Sequence, residues 1–207
     1  MMSSVERSFA GNVSRETMER YNLLESLVKK WNPAINLVSK ESVAHLYDRH
    51  IQDSAQLFYL ANCTSGLWCD LGSGGGFPGL VIAILMKGEG VAANLTLVES
   101  DARKCAFLRE AARQLDLDVA VSNHRIEELP PSHADYLSAR ALSSLTNLCA
   151  FADRHLAANG TAFFPKGERF AAEVEEAKRL WTFDLRVHPS ITHPAAAILE
   201  LKNIRHV

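Results

Sequence analysis

The chain has 207 residues, 47% hydrophobic and 22% charged, which suits one α/β-sized domain with an extension and a sizeable core. A net charge of −2 argues against holding nucleic acid by bulk charge, while leaving room for a local basic patch. No apolar run approaches the ~18 residues needed to span a bilayer and residues 1–10 lack the apolar core of a signal peptide, so a cytoplasmic protein is expected.

The first predicted element starts at Ser14, followed by Glu16 and Thr17. Met18, Tyr21, Leu24, Val28 and Trp31 recur at spacings of three and four, the apolar stripe of a helix packed on a core. Pro33 is expected to end this helix, because the residue before proline avoids the helical region. A second helix is predicted over 42–60. Together they read as an N-terminal helical extension, residues 1–62.

From residue 63 the pattern changes to short apolar strands alternating with amphipathic helices, the signature of a mostly parallel sheet covered on both faces. Strands are predicted over 67–71, 95–99, 118–122, 135–139 and 162–165, and a helix over 101–115. Two further strand-like runs, 183–188 and 196–202, have no long helix between them. They should pair antiparallel, since a parallel crossover needs a dozen or more residues. The fold class is therefore α/β: a Rossmann-like, seven-stranded sheet with a closing antiparallel pair, spanning 63–207, and not the all-parallel plan of dinucleotide dehydrogenases. Cys63, Cys69, Cys105 and Cys149 form no C-x-x-C pair and have no histidine at zinc spacing, so they read as buried small apolar residues and no metal is expected.

The first strand leads into Asp70-Leu71-Gly72-Ser73-Gly74-Gly75-Gly76-Phe77-Pro78-Gly79. Five glycines in this short span exceed the needs of a tight turn and let a ligand approach the backbone closely. Gly74-x-Gly76-x-x-Gly79 matches a dinucleotide fingerprint, which alone is weak. An acid at the strand end instead suits a ligand with a positive head and no phosphate, such as S-adenosylmethionine. Asp70 would meet that head directly or order the loop amides; both readings stand. Glu99 closes the second strand, where a carboxylate accepts hydrogen bonds from ribose hydroxyls or caps the next helix. Asn123-His124-Arg125-Ile126-Glu127-Glu128 follows the third strand, with Ile126 and Glu127 placed for an adenine ring.

Several separate stretches, in order, resemble the RsmG (GidB) family. They are Trp31-Asn32-Pro33-Ala34-Ile35-Asn36-Leu37, His50-Ile51-Gln52-Asp53-Ser54, the glycine loop, Ser138-Ala139-Arg140-Ala141 and Lys166-Gly167. The resemblance covers nearly the whole chain. It implies transfer of a methyl group from S-adenosylmethionine to N7 of one guanine in small-subunit (16S) ribosomal RNA. It also implies cofactor contacts from Gly72 and Phe77, an adenine end lined by Ile126 and Glu127, and Arg140 reaching the cofactor or the RNA; with Asp70, Gly74, Gly76 and Glu99, read above from the strand ends and the glycine loop, these make up the expected cofactor site. Glu99 stands where many relatives carry aspartate, and the serine of Ser138-Ala139-Arg140 is left without a role.

Guanine N7 carries a lone pair and no proton, so no general base is required and alignment supplies most of the catalysis. Arg140, Arg125, Lys166, His50 and Asp53 are candidates for positioning the substrate, with His50 and Asp53 equally readable as pins for the N-terminal helices. Arg103, Lys104, Arg109 and Arg113 form either an RNA-facing patch or a solvated helix face. Ribosomal RNA, presented within a small ribosomal subunit, is the expected partner of a monomer. The alternatives are a small-molecule methyltransferase, an NAD-dependent oxidoreductase and a non-catalytic RNA-binding module.

Overall fold

The computed structural model describes residues 13–207, so the signal-peptide reading of residues 1–10 lies outside the described residues. Helix α1 (Arg15–Ile35) starts where the Ser14 side chain accepts a hydrogen bond from the Thr17 N–H at 3.1 Å. Its buried stripe includes Tyr21, Leu24 and Val28, as the spacing predicts. It does not stop before Pro33 but runs on to Ile35. Proline removes one N–H bond, a small loss so near the end, and Asn36 closes the last turn in the left-handed conformation with its N–H on Asn32 O at 3.0 Å. The Asn32 side chain then accepts the Val38 N–H at 2.9 Å and fixes the exit.

The predicted second helix is three geometries in series. A 3₁₀ turn (Ser42–His45) passes into a π-helical stretch (Tyr47–Gln52) and then into α2 (Asp53–Ala61). The wide stretch carries Arg49 and His50, in keeping with the frequent placement of π-helix at functional sites.

The remaining elements are β1 (Ser65–Leu71), α3 (Gly79–Gly88), β2 (Ala92–Val98), α4 (Ala102–Gln114), β3 (Ala120–Ser122), β4 (Ala134–Ser138), α5 (Leu145–His155), β5 (Leu156–Lys166), α6 (Phe170–Ala177), β6 (Trp181–Pro189) and β7 (Ala197–His206). They build one seven-stranded sheet in the order β3-β2-β1-β4-β5-β7-β6. The first five strands are parallel; β7 runs antiparallel to β5 and to β6. The fold class and the closing pair are as expected from sequence, while β5 starts six residues earlier and β7 runs four residues farther than predicted.

Alternation along the strands sorts side chains to two cores. Trp68, Leu95, Leu97 and Phe163 pack with α1, α3 and α4 on one face. Cys69, Leu71, Leu137 and Phe164 pack with α5 and α6 on the other. The four cysteines are buried and free. Among the described residues no helix is long and apolar enough to cross a membrane.

Candidate active site

Strand order reverses about β1, with β2 on one side and β4 on the other, and the carboxyl ends of these strands open into the crevice typical of such a switch point. A cavity of about 1550 Å³ lies there. It exceeds the roughly 300–1,000 Å³ of ordinary small-molecule sites and leaves room for two reactants.

One wall is the glycine loop, with Gly72, Ser73, Gly74, Gly75 and Phe77 facing the space. Gly72 needs its missing side chain: φ is +65°, and a Cβ would stand 2.6 Å from Leu142 Cδ1. Gly76 does not line the cavity, contrary to its reading as a cofactor contact. Its N–H bonds back to Ser73 O at 2.7 Å and its carbonyl accepts from Leu80 N at 2.8 Å, so it turns the chain into α3. Gly75, not singled out from sequence, is the glycine beside Gly74 that faces the space.

Asp70 is also absent from the wall. It is completely buried beneath the loop, accepting from the Ser138 hydroxyl at 2.6 Å and the Gly79 N–H at 3.2 Å. Ser138 in turn accepts from Trp68 Nε1 at 3.0 Å. Of the two readings of Asp70, this geometry supports loop ordering, and it gives the serine a role. Burial pushes the Asp70 carboxyl up to about 6, against the hydrogen bonds from Ser138, Ser73 and Gly79 and the more distant Arg140 charge.

Glu99, one residue past β2, accepts from the Gly74 N–H at 2.9 Å through Oε2 and from the Asp101 N–H at 2.8 Å through Oε1. It therefore holds both the glycine loop and the start of α4, and it lines the cavity. Farther along stand Lys104, His124, Arg125, Ile126 and Glu127. The Asn123 amide donates to the Glu99 and Ser100 carbonyls and sets the start of this segment.

The opposite side is built around Arg140, two residues past β4. Its guanidinium donates to His50 Nδ1 at 2.6 Å and Arg49 O at 3.2 Å, and pairs with Asp53 Oδ2 at 3.4 Å. Because arginine only donates, His50 Nδ1 accepts and the proton sits on Nε2. Burial and the Arg140 and Arg49 charges push His50 down to about 3, so the ring is neutral. The ring stacks on Phe77 with centroids 4.9 Å apart, and Arg140 lies 5.4 Å from the same phenyl ring. Thr192 donates to Asp53 Oδ1 at 3.0 Å, and the Gln56 carbonyl accepts from Ile191 N at 2.9 Å, which ties α2 to the β6–β7 connection. His50 and Asp53 thus pin the N-terminal helices, as one of the two readings has it, and they also line the cavity.

Lys166, the last residue of β5, donates to Ser143 O and to Glu173 Oε2, each at 2.8 Å. Glu173 also accepts the Leu145 N–H at 2.9 Å. It was not singled out from sequence, where it is one acid among several on an amphipathic helix.

The candidate patch on α4 does not form. Arg103 pairs with Asp101, Arg113 with Glu110, and Arg109 donates to Val121 O, while Lys104 alone lines the cavity. Positions 109 and 113 share a face, while 103 and 104 point in two other directions around a helix of 3.6 residues per turn. Among the described residues no His, Cys, Asp and Glu cluster could hold a metal ion.

A family model described as "rRNA small subunit methyltransferase G" (GidB) matches residues 15–202. Curated relatives bearing the name "Ribosomal RNA small subunit methyltransferase G" include one from Ruegeria sp. (strain TM1040), 50% identical over 95% of this chain and 95% of its own. Another, from Ruegeria pomeroyi, is 51% identical over 95% and 96%. A third, from Paracoccus denitrificans, is 48% identical over 94% and 99%. Among solved structures, a SAM-dependent methyltransferase from Aquifex aeolicus superposes with TM-score 0.57 at 14% identity, over 86% of this chain and 96% of that one. TYW2 from M. jannaschii, solved with AdoMet, gives 0.55 at 12% identity over 76% of each. These last two likenesses are of fold.

Proposed function

The chain belongs to the rRNA small subunit methyltransferase G (GidB) family, and from that premise we propose that it methylates N7 of a guanine presented by the small ribosomal subunit. It is an S-adenosylmethionine-dependent methyltransferase of 16S ribosomal RNA.

The observation that carries the cofactor assignment is the state of the loop amides. Gly79 N–H at the start of α3 is bonded to Asp70, and Gly74 N–H to Glu99. A pyrophosphate would use a bare helix N-terminus, and here carboxylates already stand there. Of the two carboxylates, Glu99 faces the cavity and suits the hydroxyls of a ribose. The residues present therefore fit S-adenosylmethionine. Gly72, Gly74 and Phe77 would touch its methionine half, Glu99 its ribose hydroxyls, and Ile126 and Glu127 its adenine. Asp70 acts from below by fixing the loop. An oxidoreductase using NAD is disfavoured by the same observation.

When bound, the cofactor supplies a methyl group made electrophilic by its sulfonium. That methyl would pass to a lone pair such as the one on guanine N7, with the sulfur keeping the electron pair of the broken C–S bond. No proton moves, so the residues of the chain need only align and balance charge. His50 and Arg140 lie over the ring of the buried Phe77, and a flipped-out base would lie against this cluster. Arg49, Lys104 and Arg125 line the cavity with no ion-pair partner among the described residues, and phosphates of the RNA would supply it. Residues 13–62 would act as an extension of the methyltransferase domain 63–207, completing the substrate side with His50 and Asp53. The enzyme would work as a cytoplasmic monomer without metal.

The test is transfer of labelled methyl from S-adenosylmethionine to small subunits lacking the modification, with the labelled base mapped. Label on a single guanine N7 supports the proposal. No label on subunits, with cofactor binding intact, would move a small-molecule acceptor to first place.

A further inference from the structure

His155 ends α5 and is completely buried, away from the cavity wall. Its Nε2 lies 3.0 Å from the carbonyl of Ile126 and its Nδ1 3.3 Å from Ser132 Oγ. A carbonyl only accepts, so Nε2 carries the proton and Nδ1 accepts from the serine hydroxyl. The ring is held neutral: burial and the neighbouring Arg154 charge push it down, against the hydrogen bond to Ile126. The preceding residue, Arg154, donates twice to Leu129 O, at 3.3 and 2.9 Å. The end of α5 therefore grips the 125–129 segment at two carbonyls.

That segment has little else to fix it. Its internal backbone bonds are Glu128 N and Leu129 N to Arg125 O, both 3.1 Å. Among the described residues the N–H groups of Ile126 and Glu127 make no hydrogen bond, although Ile126 is only 8% exposed. Backbone N–H groups so placed are donors waiting for an acceptor. A purine offers ring nitrogens for such donors and a flat face for the Ile126 side chain. The Ile126 carbonyl shares one rigid trans peptide plane with the Glu127 N–H, so His155, in holding the first, also sets the direction of the second.

We propose that His155 is a positioning residue for the cofactor, orienting the Ile126–Glu127 peptide so that the free Glu127 N–H meets the adenine ring. This rests on the methyltransferase reading and adds to it a group that never touches the ligand. The helix end then sets affinity for the nucleoside half of the cofactor and leaves the transfer step to the opposite wall.

The test uses calorimetry on the full chain with two probes, S-adenosylmethionine and 5′-deoxy-5′-methylthioadenosine, which lacks the amino-acid end. His155→Leu removes the donor at similar volume; His155→Gln keeps an N–H at about the reach of Nε2. Loss of one hydrogen bond's worth of orientation weakens both probes by about the same factor, roughly tenfold, in the leucine variant. The glutamine variant recovers most of it. In turnover the KM for the cofactor rises by that factor while kcat stays within about threefold. Equal loss in the leucine and glutamine variants, or full affinity in a folded leucine variant, would overturn the proposal. If the leucine variant fails to fold, histidine-labelled NMR of the unaltered protein decides. A buried Nε2–H imidazole whose signals move on adding methylthioadenosine supports it, and an Nδ1–H ring or unmoved signals overturn it. An unaltered protein that binds neither probe would overturn the methyltransferase reading itself, an outcome distinct from tight binding by every variant.

Discussion

Ser138→Ala removes the hydroxyl on which the glycine loop's support rests. Ser138 has no exposure, accepts from Trp68 Nε1 at 3.0 Å and donates to Asp70 Oδ1 at 2.6 Å. A buried indole N–H left unpaired costs about 1–3 kcal/mol, and loss of a hydrogen bond to a carboxylate about 1.5–3. At pH 8 the variant should therefore be less stable by about 3–5 kcal/mol, within the 5–15 kcal/mol by which such domains fold. The penalty depends on pH. The folded Asp70 carboxyl sits at about 6, above its ordinary 3.8, so its contribution is fully present below about pH 4 and is lost as pH rises through 6. That loss is about 3 kcal/mol for a rise of about two units. Removing the serine takes away one of the bonds that lower the value, so the decline extends to higher pH in the variant. At pH 5 Asp70 is mostly protonated, its bond to Ser138 is worth only about 1 kcal/mol, and the gap narrows to about 2–4. Denaturant unfolding at pH 5 and pH 8, with the slope on denaturant unchanged, measures both gaps. A gap below about 1 kcal/mol, or one that is the same at both pH values, would refute the role given to the Trp68–Ser138–Asp70 chain.

Glu99→Gln puts an amide where the Gly74 and Asp101 N–H groups both need an acceptor, and calorimetry should show at least roughly tenfold weaker binding of S-adenosylmethionine; unchanged affinity would remove Glu99 from the site. Gly72→Ala forces a side chain at positive φ against Leu142 and should lower stability by about 2 kcal/mol in thermal melts, with Leu142→Ala recovering the steric part but not the backbone part. Lys104→Glu and Arg125→Glu should each weaken subunit binding and flatten its dependence on log salt by about one unit, leaving cofactor affinity alone; an unaltered salt slope would take them off the phosphate path. Glu173→Gln should loosen Lys166 and lower kcat more than it raises the KM for cofactor, read in the methyl-transfer assay; a rise in cofactor KM alone would place Lys166 with the cofactor instead.

What the sequence made legible was local. The strand–glycine loop–helix unit, Glu99 after β2 and the absence of a helix between β6 and β7 are all read within a short stretch, and the sheet forms as they require. What it hid depends on pairs far apart in the chain or on backbone shape. Ser138 and Asp70 are 68 residues apart, Asp53 and Thr192 139 apart, and His155 and Ile126 29 apart. No periodicity announces such contacts. Gly74, Gly75 and Gly76 are identical as letters, yet hydrogen bonds in the turn send only the first two to the cavity wall. Pro33 misled because the aversion of the preceding residue to the helical region is a bias that Asn32 overrides here, with less than a turn of helix left and Asn36 to close it.

The charges of the site divide by depth, and the division follows from the reaction. In N7 methylation a positive charge leaves sulfur and appears on the base, so a bare cation facing the base would oppose the product. The two inner cations each carry an anion: Arg140 has Asp53, with a side-chain exposure of 16%, and Lys166 has Glu173, with 10%. His50, between Arg140 and Phe77, is neutral. The inner wall therefore donates hydrogen bonds, suited to an acceptor such as guanine O6, while adding little net field at N7. Among the described residues Arg49, Lys104 and Arg125 have no such anion, and they stand where a phosphodiester would supply it. A chain of net charge −2 can bind a polyanion in this way because these cations line one cavity. Composition could not reveal it: the signal is which cations lack partners, and that is fixed only when the fold has paired the rest.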